Sequence, residues 1–119
     1  MIEEEIQNFC AGFIVEPVDP VTDCVVTPFQ DKKGDPIRIF IRQKGSQYHL
    51  FNEKGKIFDP ENFGRFAPQE DKDDLRAILR RFDLYHIDDE ISADTTAENL
   101  PQRFRNMVQA FILLDVRFR

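Results

Sequence analysis

Apolar residues recur along this chain with two different periods, and the switches between them mark out the elements. Ile2, Ile6, Phe9, Cys10 and Phe13 lie three or four positions apart, with Glu3, Glu4, Glu5, Gln7 and Asn8 between them. That spacing predicts an amphipathic helix whose acids fill its first turn, where the helix dipole favours them. Gly12 falls near its end. The run Glu16-Pro17-Val18-Asp19-Pro20 denies both a helix and a central strand, because proline has no N–H to donate. Cys24 to Phe29 reads as a first strand, with Pro28 marking an edge or a bulge. After a polar turn over residues 31–36, Ile37, Ile39 and Ile41 alternate with Arg38, Phe40 and Arg42. Period two of this kind predicts a half-buried strand at the centre of a sheet. Lys44-Gly45-Ser46 turns the chain, Tyr48 to Phe51 forms a third strand, and Asn52-Glu53-Lys54-Gly55 closes it.

The second half returns to helical spacing. Asp59-Pro60 fits an N-cap followed by a first helical position, and Gly64 fits a stop, so a short turn there would bury Phe58 and Phe63. Residues 67–74 read as a charged loop leading into a helix striped by Leu75, Ile78, Leu79 and Phe82, with Arg80 and Arg81 in its last turn. Leu84, His86 and Ile87, around the turn Asp88-Asp89-Glu90, predict two short strands or an extended hairpin ending near Ile91. Asn99 caps a final helix, with Pro101 tolerated in its first turn and Phe104, Met107, Val108, Phe111 and Ile112 on its buried face. The expected fold is α+β: a three-stranded antiparallel meander plus a short strand pair, with N-terminal, middle and C-terminal helices packed on the sheet. At 119 residues it is expected to be one domain, since single cores stop growing only beyond about 250 residues.

Composition changes this picture in three ways. Twelve Phe and no Trp make phenylalanine a main source of core volume. A formal charge of -6, from 22 acids against 16 bases, argues against non-specific nucleic-acid binding, which needs clustered Lys and Arg. Cys10 and Cys24 read as small core hydrophobes with reduced thiols. The acidic start Met-Ile-Glu-Glu-Glu does not resemble a signal peptide, and no apolar run approaches the roughly 20 residues that span a bilayer. The expected location is the cytoplasm, away from membranes, with no metal and no cofactor.

The order of elements and the residues within them resemble domain-of-unknown-function family 1828, small bacterial and prophage proteins. The likeness rests on Val26-Thr27-Pro28-Phe29, on the turn ending in Gly34-Asp35, on Ile37-Arg38-Ile39-Phe40-Ile41, and on Tyr48-His49-Leu50-Phe51 with its polar turn. Asn106, Gln109, Ala110 and Asp115 resemble the family's closing helix, so the likeness covers about residues 22 to 116. The family's turn after the third strand is typically rich in aspartate, where this chain has Asn52-Glu53-Lys54-Gly55. The resemblance implies the fold and a mobile-element context, and it supplies no catalytic residues.

Candidate chemistry is sparse. A metal-dependent nuclease sets an acid on one strand and an acid-x-Lys triplet on the next, to hold Mg²⁺ and orient a water. Asp35, Glu53 and Lys56 approach that pattern, but the interval from Glu53 to Lys56 is one residue too long. His49 and His86 have no partner in sequence, and neither Ser46 nor Ser92 sits in a nucleophile elbow. Arg38, Phe40 and Arg42, with Tyr48 on the neighbouring strand, are the candidate binding residues. The acidic groups Glu3 to Glu5, Glu70 to Asp74 and Asp88 to Glu90 read as solvated turns and helix starts, or else as a mimic of nucleic-acid phosphates. The expected function is a small non-enzymatic protein-interaction domain whose partner is another protein, with a homodimer possible. A sharper version is a phage inhibitor of a host defence nuclease, of which an anti-CRISPR protein is one kind. The alternative is a nucleic-acid-binding or metal-dependent nuclease-like module.

Overall fold

The alternation around Ile39 becomes the middle of a sheet. A computed structural model describes residues 12–53, 68–87 and 90–118. Strands β1 (Ile14–Asp19), β2 (Thr22–Gln30), β3 (Pro36–Lys44) and β4 (Gln47–Asn52) run as a four-stranded meander. Helix α1 (Gln69–Arg81), strands β5 (Tyr85–Ile87) and β6 (Glu90–Thr96) and helix α2 (Leu100–Arg117) follow. The six strands form one antiparallel sheet in the order β1-β2-β3-β4-β6-β5. No described helix is long and apolar enough to cross a membrane.

Directly opposed residues of antiparallel strands share a face, so the register decides what is core. Val25 opposes Ile39, Ile41 opposes Leu50 and Leu50 opposes Ala93, all at most 1% exposed. Both helices cover this face. α2 contributes Phe104, Met107, Phe111 and Leu114, and α1 contributes Leu75 and Leu79. Each such side chain stabilises the fold by about 1.5–3 kcal/mol through apolar burial. Phe13, just before β1, joins the core edge-to-face with Phe104, their ring centroids 5.7 Å apart.

Several expectations need correcting. The segment with Pro17 is a strand, β1, because it lies at the sheet edge, where a missing N–H costs no ladder bond. Its register breaks between Pro17 and Asp19, and the Asp19 carboxylate accepts the Val21 N–H at 2.9 Å to close the hairpin. The meander therefore has four strands rather than three. The loop expected over 67–74 is helical from Gln69, because Arg117 of α2 anchors Asp71 and Asp74, at 3.0 and 2.6 Å. An apolar stripe cannot reveal a first turn held by charge. The short strand pair is not separate, since β6 runs on to Thr96 and pairs with β4. The described residues contain two helices. The N-terminal helix expected before Gly12 and the turn expected at 59–64 lie outside the described residues.

Side chains complete the ladder where the backbone cannot. Pro28 falls within the register shift of the β2–β3 pairing, and Thr27 Oγ1 donates to the Ile37 carbonyl there at 2.8 Å. The β4–β6 ladder ends at Phe51 and Ser92, and the Asn52 side-chain oxygen accepts the next N–H, that of Ile91, at 2.8 Å. α1 ends in a Schellman motif: Leu84 N–H reaches the Leu79 carbonyl at 2.9 Å and Asp83 N–H that of Arg80 at 3.2 Å. Asp83 takes the left-handed position at φ 57°, usually filled by glycine.

Candidate functional site

The face opposite the helices is where the polar and aromatic residues of the strands meet. Arg42 opposes His49, and His49 opposes Asp94. Phe40 opposes Phe51, Phe51 opposes Ser92, and Ser92 opposes Tyr85. Strand parity alone therefore gathers side chains from four strands into one patch.

Rings form its middle. Phe40 and Phe51 stack with centroids 5.3 Å apart, and His49 stacks on Phe51 at 5.4 Å. The Arg42 guanidinium sits 5.0 Å from the Phe51 centroid, a cation–π contact, while its Nε donates to Thr22 Oγ1 at 3.2 Å. Phe40, Phe51 and Arg38 are half-buried, and Arg42 is exposed.

Carboxylates enclose the histidine. His49 Nδ1 lies 2.8 Å from Asp94 Oδ1 and Nε2 lies 3.2 Å from Glu90 Oε2. Tyr85 OH donates to Asp94 Oδ2 at 2.7 Å, and Ser92 Oγ donates to Glu90 Oε2 at 2.7 Å. Burial, together with the neighbouring Asp94 and Glu90 charges, pushes the Tyr85 phenol up to about 12. Burial also pushes the Asp94 carboxyl up, but the hydrogen bonds from Tyr85 and His49 outweigh it and hold Asp94 below its ordinary value.

Both ring nitrogens of His49 are engaged. A histidine that serves as general base needs one nitrogen open to the proton it takes. Here both nitrogens face carboxylates, and the Ser92 hydroxyl gives its proton to Glu90 rather than to His49. Among the described residues no group of three or more histidines, cysteines and carboxylates is placed to hold a metal ion.

The residues singled out from sequence separate into several places. Arg38, Phe40 and Arg42 share the patch, whereas Tyr48 opposes Gln43 and packs against the hydrophobic core on the other face. Asp35 belongs to the β2–β3 turn, where its N–H donates to Asp31 Oδ1 at 3.0 Å. Glu53 follows β4, and Lys56 lies outside the described residues. In the acidic run 70–74, Asp71 and Asp74 are paired with Arg117 and Asp73 lies 3.6 Å from Arg76. Glu3 to Glu5 and Asp88 and Asp89 lie outside the described residues. Cys24 is a buried free thiol whose ionisation burial pushes up, and Cys10 lies outside the described residues.

Asp94, Tyr85 and the pairing of His49 escaped the sequence reading. His49 meets Asp94 only through the β4–β6 register, which joins residues more than forty positions apart, and Tyr85 reaches Asp94 across the β5–β6 pairing. The period-two run Ile91-Ser92-Ala93-Asp94-Thr95 was the available signal.

Comparison with known proteins adds the family. The profile of Domain of unknown function DUF1828 matches residues 27–113, from β2 into α2. No curated protein and no solved structure matches the chain. With that match covering well over half its length, the chain belongs to the DUF1828 family.

Proposed function

We propose that the protein is a non-enzymatic protein-interaction domain that binds its partner through the Arg42–Phe51 face of the sheet. One observation carries this reading: stacked rings, an arginine and carboxylates are interleaved in a single half-exposed patch. Aromatic residues and arginine are the side chains that concentrate binding energy at protein interfaces. A nucleic-acid platform also uses rings and arginines, but it follows a phosphate backbone. Asp94 and Glu90 stand inside this patch and would repel that backbone, as would the net charge of the chain. The engaged histidine nitrogens favour binding over catalysis. Inhibition of a host defence enzyme is one form such an interaction would take.

Capture from a lysate of the native host, with wild type and Arg42→Glu immobilised in parallel, tests the reading. Arg42 is exposed, so charge reversal leaves the core intact. A protein retained by wild type and lost from Arg42→Glu is the expected result. Equal recovery on both, or tight salt-sensitive binding of a single-stranded oligonucleotide by wild type, overturns it.

A further inference from the structure

The strand pairings set the outer face of the sheet in rows, and charge is unevenly placed along them. In one row Thr22 of β2, Arg42 of β3, His49 of β4 and Asp94 of β6 stand in order. β4 lies between β3, which carries the cation, and β6, which carries the acid. Neighbouring strands stand about 4.8 Å apart, so Arg42 and Asp94 flank β4 at equal distances on opposite sides. Apolar residues follow the same plan. Val26 lies on β2, two strands to one side of β4, and Ile87 lies on β5, two strands to the other. Val26 opposes Arg38 and Ile87 opposes Glu90, so both belong to this face. Val26 is half-buried and Ile87 is 60% exposed.

Such a face is complementary to itself. A second copy laid against it, with the two-fold axis running along β4, sets β3 of each chain over β6 of the other. Arg42 then faces Asp94 of the second copy, Val26 faces its Ile87, and Phe51 faces its counterpart on the axis. An axis running across the strands at the row of Phe40 and Phe51 would set Arg42 against Arg38, like charge on like, so charge selects the first axis. Aligned sheets pack about 10 Å apart and within about 30° of one another, which keeps residues one or two strands from the axis in reach.

The paired groups retain bonding capacity. Arg42 is exposed, and among the described residues its Nε–H alone has a hydrogen-bond partner, Thr22. The Asp94 side chain is 50% exposed, with one hydrogen bond on each oxygen. A carboxylate offers about four lone-pair sites, so Asp94 can accept an arginine and keep His49 and Tyr85. We infer that the partner of the Arg42–Phe51 face is a second copy of this chain, bound face to face about a two-fold axis along β4. The inference rests on the reading of that face as a protein-binding surface and names the partner.

Sedimentation of the full chain across a concentration series is expected to show monomer in exchange with dimer. Arg42→Glu alone and Asp94→Arg alone are each expected to raise the dissociation constant about tenfold or more, because each sets like charges together twice in one dimer. Mixed in equal amounts, the two variants are expected to pair with each other. The introduced glutamate then meets the introduced arginine, and the native Asp94 of one chain meets the native Arg42 of the other. Ile87→Glu, at an exposed position, is expected to weaken the dimer as well, and it carries the test if circular dichroism shows Asp94→Arg unfolded. The inference is overturned by a wild type that stays monomeric at millimolar concentration, by a dimer indifferent to Arg42→Glu and Ile87→Glu, or by folded charge variants that do not pair. A monomeric wild type that retains a different host protein, lost from Arg42→Glu, overturns the dimer and leaves the reading of the face standing. A monomeric wild type with equal capture by both overturns the two together.

Discussion

Tyr85 and Asp94 share one short hydrogen bond, which adds to burial in raising the phenol and, with the bond from His49, outweighs burial in lowering the carboxyl. The folded chain holds the Tyr85 proton more tightly than an ordinary phenol does, up to about 12 against 10.0. Its contribution to stability is therefore whole below pH 10 and is lost as pH rises to about 12. Asp94 acts in the opposite sense. Its folded value is lowered, so its contribution is present above the ordinary carboxylate range and is lost as pH falls through the lowered value. Tyr85→Phe is thus expected to lose stability less steeply than wild type across the alkaline window, read as urea midpoints at stepped pH. Parallel curves for the two proteins would show that the Tyr85–Asp94 bond is not maintained in solution. Asn52 shows a different economy of single residues. It is the last residue of β4, and its amide oxygen supplies the rung that the β4–β6 ladder lacks.

Among the elements, α2 holds the rest of the chain in place through its polar end as well as its apolar face. Asp115, 3% exposed, accepts the Lys32 N–H at 3.2 Å and so ties the helix to the β2–β3 turn. Asp31 organises that turn by accepting the N–H groups of Lys33 and Asp35. Asp115→Ala is expected to cost about 1–2 kcal/mol, the low end for a charged acceptor at this distance, and to speed amide exchange at residues 32–34. Asp115→Asn, which keeps an acceptor, is expected to recover part of the loss. Denaturation midpoints for both variants within error of wild type would show that the tie bears no weight. The sequence showed β3 and the buried stripe of α2 because each has a clean period and a neighbour to bury against. It concealed β1, where proline reads as a breaker unless the strand is known to be an edge, and the start of α1, which is held by Arg117 rather than by apolar contact. Half of the candidate site was legible, Arg38, Phe40 and Arg42, because one strand carries it. The Asp94–His49–Glu90 half depends on a long-range register, and the period-two run at 91–95 marks a strand without naming its neighbour.

At the scale of the whole molecule, the sheet separates two kinds of surface. One face is core under two helices, and the other gathers the aromatic and charged patch. The β4–β6 register also has a kinetic side. β1 to β4 join through short turns, whereas Gln47 pairs with Thr96 across a far longer stretch of sequence. Closing such a long loop loses entropy before any contact repays it, so the meander is expected to form first and β6 to dock late. Ile39→Val in β3 should then mainly slow refolding, and Ile91→Val in β6 should mainly hasten unfolding, each costing about 0.5–1.5 kcal/mol at equilibrium. Stopped-flow chevrons that assign the larger refolding defect to Ile91→Val would reverse that order. If the order holds, the strand that brings Asp94 to His49 is the last to arrive during folding, and the patch exists only once the slowest pairing in the sheet is complete.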